Sequence, residues 1–362
     1  MKQAAIEESQ ITCQSFARNV YEEHLEIVGL LKIQVIDLQP KLNVKVSDSN
    51  PFKPVSGFAP STSNQAMDIP AFLNGRDVLR IAQTGFGENC SCSFNLSIQV
   101  YVIDQRVLLK GQGPIALFLV PTVVLAMQIH NEFKKNCNAD YIHVVFAHGG
   151  GNKYKQSKAF KKCAEVAIAR PGSLIDMIKM KVTNLERVMY LVLDEAGCMY
   201  DMGLEPNVKS ICEHARPDMR CWLPSATVKK RIAKLASEVL TDPVTVVQGY
   251  VEVASENATR VVMLVPLCGY NLQGLLKNLV QFMNHGYVTV FVRKKQNFEE
   301  LAPNKKLKTE IFCRCLHGDA FQAVERSEFI SALKKQEIHV LVTADVAARG
   351  LDIPHIRYVC QL

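Results

Sequence analysis

Between residues 57 and 249 short apolar runs alternate with helix-spaced segments, and that alternation leaves few folds open. Runs at 78–82, 115–120, 143–146, 166–169, 188–193 and 221–223 read as strands, while 123–135 and 173–181 repeat apolar residues as helices do. Strand, crossover helix, strand is the signature of a doubly wound parallel α/β domain. Ligands of such a sheet bind at the carboxyl ends of its strands, where the stretches after Ala82 and Leu193 sit. Residues 250–362 repeat the pattern, with strands expected at 261–265, 288–292, 312–316, 339–343 and 357–362 and helices at 272–283 and 323–335. Two parallel-sheet α/β lobes are therefore expected, at 57–249 and 250–362. Residues 1–56 read as an appended extension: Tyr21, Leu25, Val28 and Leu31 give one amphipathic helix, and residues 47–54 a linker.

At 362 residues and 48% hydrophobic, the chain can bury a sizeable core. Its net charge of +7 permits a polyanionic partner without requiring one. The sequence holds no apolar run of the length a membrane span needs and its first residues mix Glu, Lys and Gln, so no membrane association or secretory signal is expected. Twelve cysteines occur singly or as Cys-x-Cys (Cys90/Cys92, Cys313/Cys315), which favours reduced intracellular thiols over zinc or disulfides. His143, His148 and His317 lack metal-ligand spacing.

Residues 81–90 read Ile-Ala-Gln-Thr-Gly-Phe-Gly-Glu-Asn-Cys after an apolar run. That is nearly a phosphate-binding loop, Gly-x-x-x-x-Gly-Lys-Ser/Thr, in which backbone N–H groups cradle phosphates and the lysine reaches their outer oxygens. Here Glu88 takes the lysine position and Asn89 the hydroxyl position. At the end of the run 188–193 stand Asp194 and Glu195. Adjacent carboxylates opposite a phosphate loop suit magnesium-assisted phosphate hydrolysis, one holding the metal and the other orienting water. The same pair could be a helix N-terminus with acids near its dipole.

These features, in this order, resemble the DEAD-box RNA helicases from about residue 20 to the end. Asp194-Glu195-Ala196-Gly197 matches the Asp-Glu-Ala-Asp box except in its last residue, and Ser225-Ala226-Thr227 matches Ser-Ala-Thr. Gln65 stands where the adenine-reading glutamine belongs, followed by Asn74-Gly75-Arg76-Asp77. Pro121-Thr122, Gly149-Gly150-Gly151, Pro171-Gly172, His317-Gly318-Asp319 and Asp345-Val346-Ala347-Ala348-Arg349-Gly350-Leu351-Asp352 follow in family order. Flanking text at 187–189 and 247–249 is similar to the spliceosome-associated branch.

The resemblance implies two RecA-like lobes, the second incomplete, that use ATP and magnesium to bend RNA. It implies catalysis by Asp194 and Glu195, with Asp194 as the magnesium ligand. Nucleotide binding falls to Gln65, Thr84, Gly85, Gly87, the positions of Glu88 and Asn89, and Asp352. Interlobe coupling falls to Ser225, Ala226 and Thr227. RNA contacts fall to Pro121, Thr122, Gly150, Gly151, Pro171, Gly172, Arg349 and Gly350. It further implies RNA and splicing-type protein partners and a nuclear address.

Departures concentrate on the ATP cycle. Glu88 and Asn89 spoil the phosphate loop, and Gly197 removes a carboxylate that links to Ser-Ala-Thr. The upstream aromatic is absent: Asp48 lies at its position, and Phe58 is only seven residues before Gln65. Pro224 enters before Ser225, where a central strand would lose a ladder donor. Val123 and Val124 replace Arg and Glu after Pro121-Thr122. Arg170 and Ser173 flank Pro171-Gly172 where Thr and Arg belong, so a cation leaves one position and arrives at another. In the second lobe Thr343-Ala344-Asp345 inverts the family order, Gln322 and Arg326 are one residue too far apart, and the chain ends before the arginine-finger motif.

Lys153, Lys155, Lys158, Lys161 and Lys162, interleaved with Tyr154 and Phe160, form either a solvated helix face or a sequence-blind phosphate-contacting patch. Three functional outcomes stay open. A degenerate helicase-like protein without useful ATPase follows from Glu88, Asn89, Gly197 and the absent finger motif. An active ATP-dependent RNA helicase follows from the retained motifs. A decayed coding remnant follows from the scatter of substitutions.

Overall fold

A computed structural model describes residues 44–47, 71, 75–82, 112–136, 142–149, 152–162, 164–225, 230–248, 259, 261, 282, 286–291, 313–316, 340–343 and 356–361. The chain divides into two compact units, Met1–Asn257 and Ala258–Leu362. The first contains β1 (Val44–Ser47), β2 (Val78–Ala82), β3 (Ala116–Leu119), α1 (Val123–Asn136), β4 (Val144–Ala147), α2 (Lys153–Phe160), β5 (Val166–Ala169) and α3 (Pro171–Lys179). It continues with β6 (Tyr190–Leu193), α4 (Ala196–Asp201), α5 (Glu205–His214), β7 (Arg220–Ser225), α6 (Lys230–Val239) and β8 (Val244–Gln248). Its strands form an eight-stranded sheet in the order β1-β8-β2-β7-β6-β3-β5-β4. Every pairing is parallel except β1 with β8.

The strands form where they do because both faces of the sheet are covered. Successive side chains of a strand point to opposite faces. Ala116 and Phe118 of β3 accordingly join one buried cluster, with Tyr190, Val192, Trp222 and the α1 residues Ile129 and Phe133. Leu117 and Leu119 join the other, with Leu191, Leu193, Leu174 of α3, Met199 of α4 and Leu235 of α6. Phe118 and Phe133 meet edge-to-face at 5.2 Å, a geometry worth about 0.5–1.5 kcal/mol beyond the area it buries. A strand clothed on both sides reads as an unbroken apolar run, which is why β3, β5 and β6 stand out in the sequence.

Two strands lie outside the runs expected from the sequence, and β7 extends beyond its expected 221–223. Residues 44–47, expected in an appended segment, pair with β8 in register Val44↔Gln248 and so belong to the first sheet. β8 itself, at residues 244–248, was not among the expected strands; its pairing with β2 from Val78↔Val244 to Ala82↔Gln248 fixes it. Pro224 does not break β7. Pairing with β6 is registered only to Val192↔Trp222, so the proline falls beyond it, beside Arg80 of β2.

The second unit contributes β9 (Tyr287–Phe291), β10 (Cys313–Leu316), β11 (Val340–Thr343) and β12 (Ile356–Gln361). They form a four-stranded parallel sheet in the order β10-β11-β9-β12. The helix expected at 323–335, and all of that at 272–283 except Phe282, lie outside the described residues. Among the described residues no helix is long and apolar enough to cross a membrane.

Candidate nucleotide and nucleic-acid edge

The carboxyl ends of the first sheet bring the predicted site residues to one edge. β6 is buried throughout and stays paired with β3 to its end, where Asp194 N donates to Leu119 O at 3.0 Å. Asp194 is half-buried and Glu195 is exposed. Glu195 takes the left-handed conformation, φ 53° and ψ 42°, which costs a non-glycine residue about 1–2 kcal/mol. That turn ends the strand and opens α4: the Glu195 carbonyl accepts from Cys198 N at 2.9 Å and Met199 N at 3.1 Å. Among the described residues, a Cβ at Gly197 would come within 4 Å only of Ile232 Cδ1 of α6, at 3.8 Å. A Cβ there meets ordinary van der Waals contact.

Two strands away β2 ends at Ala82, with Ser225 of β7 opposite Ile81. Asp77 aligns these ends from the opposite edge. Its Oδ1 accepts from Cys221 N at 2.8 Å, its Oδ2 from Thr241 N at 2.6 Å, and its carbonyl from Val244 N at 2.8 Å. Burial raises the Asp77 carboxyl above its ordinary value despite both backbone donors. The same burial pushes the Cys221 thiol up. Both groups are structural.

β3, β5 and β4 carry the other half of the edge. Pro121 and Thr122 are buried, and the Thr122 hydroxyl caps α1 by accepting from Leu125 N at 3.2 Å. Pro171 is the buried first residue of α3, and a Cβ at Gly172 would lie 3.4 Å from Asn207 Nδ2 of α5. Buried Gln156 of α2 grips the strand exit of β4: its Oε1 accepts from His148 N at 3.0 Å and its Nε2 donates to His148 O at 3.2 Å. Asn152 caps α2 by accepting from Lys155 N, and Lys153 reaches Asp176 of α3 at 3.0 Å. The exposed backbone of Gly149 is thus held next to Arg170 and Ser173: a Cβ there would be 3.4 Å from Arg170 Nη1 and 3.9 Å from Ser173 Oγ.

The structure brings Asp194, Glu195, Ser225, Pro121, Thr122, Pro171 and Gly172 to this edge. Gln65, Thr84, Gly85, Gly87, Glu88, Asn89, Gly150, Gly151, Ala226, Thr227, Arg349, Gly350 and Asp352 lie outside the described residues. Sequence reasoning gave no role to Asp77 or Gln156. The signals were that Asp77 closes the run Asn74-Gly75-Arg76-Asp77 directly before a strand, and that Gln156 is a polar residue within α2.

Comparison with known proteins agrees with this architecture. The DEAD/DEAH box helicase family model matches residues 62–235, and the helicase conserved C-terminal domain model matches residues 272–362. The chain is 42% identical over 372 residues to the ATP-dependent RNA helicase DDX42 of Gallus gallus, covering 98% of this chain and 39% of that protein. It therefore spans about two fifths of such relatives. The crystal structure of the yeast DEAD-box splicing factor Prp28 superposes with a TM-score of 0.56 at 23% identity, covering 96% of this chain and 83% of that one. The ADP-bound RNA-helicase Prp28 of Chaetomium thermophilum gives 0.54 at 25% identity, covering 95% and 85%. With a RecA-like parallel sheet, acidic residues at the end of β6 and both helicase models matched, the chain belongs to the DEAD-box RNA helicase family.

Proposed function

We propose that this chain is a DEAD-box helicase-like protein with a degenerate nucleotide site. RNA-stimulated ATP hydrolysis is feeble or lost, and the scaffold keeps a sequence-independent hold on RNA. The observation that carries this is Glu88-Asn89 where the family has Lys-Ser/Thr. Strand spacing sets β2 about 10 Å from β6, so a carboxylate at 88 follows a strand whose end shares an edge with Asp194 and Glu195. The oxygen donors of Asp194 and Glu195 suit magnesium, which takes one or two carboxylates and completes its shell with phosphate oxygens and water. Glu88 does not suit the phosphates. A unit charge pair at 4 Å is worth about 4 kcal/mol at an effective dielectric of 20. Reversing its sign weakens nucleotide binding by roughly a thousandfold or more.

Gly197 supports the same conclusion. A Cβ at that position makes only an ordinary contact with Ile232 among the described residues, so no backbone crowding there calls for glycine. RNA and splicing-type protein partners, and with them a nuclear address, are proposed from relatives named as RNA helicases and splicing factors.

The test is phosphate release by the purified chain with and without RNA, alongside binding of a fluorescent ATP analogue. The expected result is no RNA-dependent release and little binding. A second reading, an active ATP-dependent RNA helicase, is favoured by the intact Asp194-Glu195 pair at the end of β6. RNA-dependent turnover would establish it and remove the first. A polypeptide that never melts cooperatively as a monomer would instead indicate a decayed remnant.

A further inference from the structure

α2 buries Gln156, Ser157 and Phe160 and turns every lysine it carries to solvent. Lys161 at its C-cap and Lys162 just after are exposed as well. Tyr154 stands among them with 76% of its surface exposed. Tyr154, Lys158 and Lys161 are four and three residues apart and so line one side of the helix, with Lys155 beside them. α3 lies alongside: both helices pack on β4, and Lys153 reaches Asp176 at 3.0 Å. Past the end of α3, Met180 is 50% exposed between two further exposed lysines.

A lysine-rich helix face is ordinarily no more than a solvated one. Two features go beyond that here. Between residues 152 and 181 the acids are Glu165 and Asp176. Asp176 is engaged by Lys153, and Glu165 accepts from His143 N at 2.7 Å. Among the described residues no carboxylate pairs with Lys155, Lys158, Lys161 or Lys162. The helix dipole favours Lys158 and Lys161 near the C-terminus but opposes Lys155 in the first turn, where no acid offsets it. The second feature is Tyr154, whose ring gains nothing from solvation. Tyrosine combines an apolar ring with a polar tip and is enriched where a few residues carry most of a binding energy.

Charge complementarity selects an acidic occupant, and shape selects protein over nucleic acid. Single strands are held in basic grooves that offer a series of aromatic platforms. This face is the convex side of a helix, and Phe160, the other aromatic in the run, is in the core at 3% exposure. We propose that the α2–α3 flank docks an acidic amphipathic helix of a protein partner. Its carboxylates lie opposite Lys155, Lys158 and Lys161, and an apolar side chain packs on Tyr154. Such docking needs neither nucleotide nor RNA at the carboxyl edge.

The experiment follows, by fluorescence anisotropy at low salt, the binding of a fluorescein-labelled peptide to the full chain. The peptide repeats Glu at i, i+4 along one helix face, with Leu and Phe beside it. Wild type is compared with Tyr154→Ala, with Lys155→Glu plus Lys158→Glu, and with Lys230→Glu plus Arg231→Glu, an equal charge change at exposed residues of α6. All are checked by thermal melting, and Lys155→Gln plus Lys158→Gln carries the test if the reversed pair melts early. Reversal at 155 and 158 is expected to weaken peptide binding roughly tenfold or more. Tyr154→Ala should weaken it roughly tenfold, and the α6 pair by less than about twofold. The affinity of an oligouridylate, measured alongside, should respond equally to the two charge pairs, since only net charge differs.

If the α6 pair costs as much peptide affinity as the α2 pair, net charge alone draws the peptide and the proposal is overturned. If Tyr154→Ala changes nothing, no apolar contact forms there, with the same result. Loss of oligouridylate affinity confined to the α2 pair, with the peptide unaffected, would make the flank a nucleic-acid surface and overturn it too. A wild-type chain that binds no peptide even at low salt also overturns it.

Discussion

The two halves of the carboxyl edge are built alike and have diverged differently. In one, β2, β7 and β6 end near Ala82, Ser225 and Asp194, with their register set from the far edge by Asp77. In the other, β3, β5 and β4 end at Thr122, Arg170 and Gly149, with α1 capped by Thr122 and the last exit gripped by Gln156. Among the described residues, the strands of both halves are paired up to the edge. On the side proposed for nucleotide, Glu88 stands where the family pattern has lysine and Gly197 where it has a carboxylate; on the other side Arg170 and Ser173 stand where that pattern has Thr and Arg. Frame and chemistry are therefore separable. Interior residues hold the sheet whether or not the edge can bind its ligands.

The largest expected effect follows from that separation. Glu88→Lys with Asn89→Thr should raise affinity for a fluorescent ATP analogue by roughly a thousandfold in magnesium buffer, since repulsion becomes attraction at the phosphates. The melting temperature should barely change. An unchanged affinity would mean that the nucleotide half has lost its frame as well as its charge, and the contrast between the halves would collapse.

Next in size are the clamps. Asp77→Ala leaves the buried N–H of Cys221 and the part-buried N–H of Thr241 without their acceptor, and denaturant unfolding should show a loss of about 1–3 kcal/mol. Gln156→Ala releases two bonds to the His148 backbone and should cost about 1–2 kcal/mol. Asp77 also carries a pH signature. Its folded-state pKa is raised, so the native chain holds that proton more tightly than the unfolded chain. Between the ordinary carboxylate value and the raised one, the contribution of Asp77 to stability falls as pH rises. Asp77→Asn should reduce that slope in melts taken through the acid range. Glu165, also raised by burial, leaves a remainder of the same sign.

How far these halves could be read from sequence depends on the range of the contacts that define them. The strands at 78–82 and 166–169 have the bounds their apolar runs mark, because burial on both faces writes itself into consecutive residues. β7 was read short because Pro224 looks like a breaker, and only the register shows that its pairing with β6 is registered no further than Trp222. β1 was missed because its place depends on a partner some two hundred residues on, at Val244–Gln248. Asp194 and Glu195 were legible as a carboxylate pair after an apolar run, whereas the left-handed turn at Glu195 was not. The Asp77 bonds reach residues 144 and 164 positions away. Arg170 was legible as a substitution, but no spacing rule says whether a guanidinium will find a counter-ion. The capping role of Thr122, directly before α1, could have been read from the preference of hydroxyl residues for helix starts.

The smallest effect is the sharpest test of whether an edge departure is chemical or structural. The Lys153–Asp176 pair is solvent-exposed on the lysine side, so Lys153→Ala should cost about 0.2–1 kcal/mol. Gly197→Asp should cost less than that or add stability. The new Cβ meets Ile232 Cδ1 at an ordinary 3.8 Å, and residue 197 lies in the first turn of α4. Replacing a helical glycine regains about 0.5–1 kcal/mol on its own. A carboxylate near a helix N-terminus adds about 0.3–1 kcal/mol, offset in part by the nearby negative charges of Asp194 and Glu195. A melting temperature that holds or rises by a degree or two would mean that Gly197 marks lost chemistry in an undamaged frame. A drop of several degrees would mean that the frame around α4 has adapted to the glycine, and that on this side of the edge frame and chemistry have decayed together.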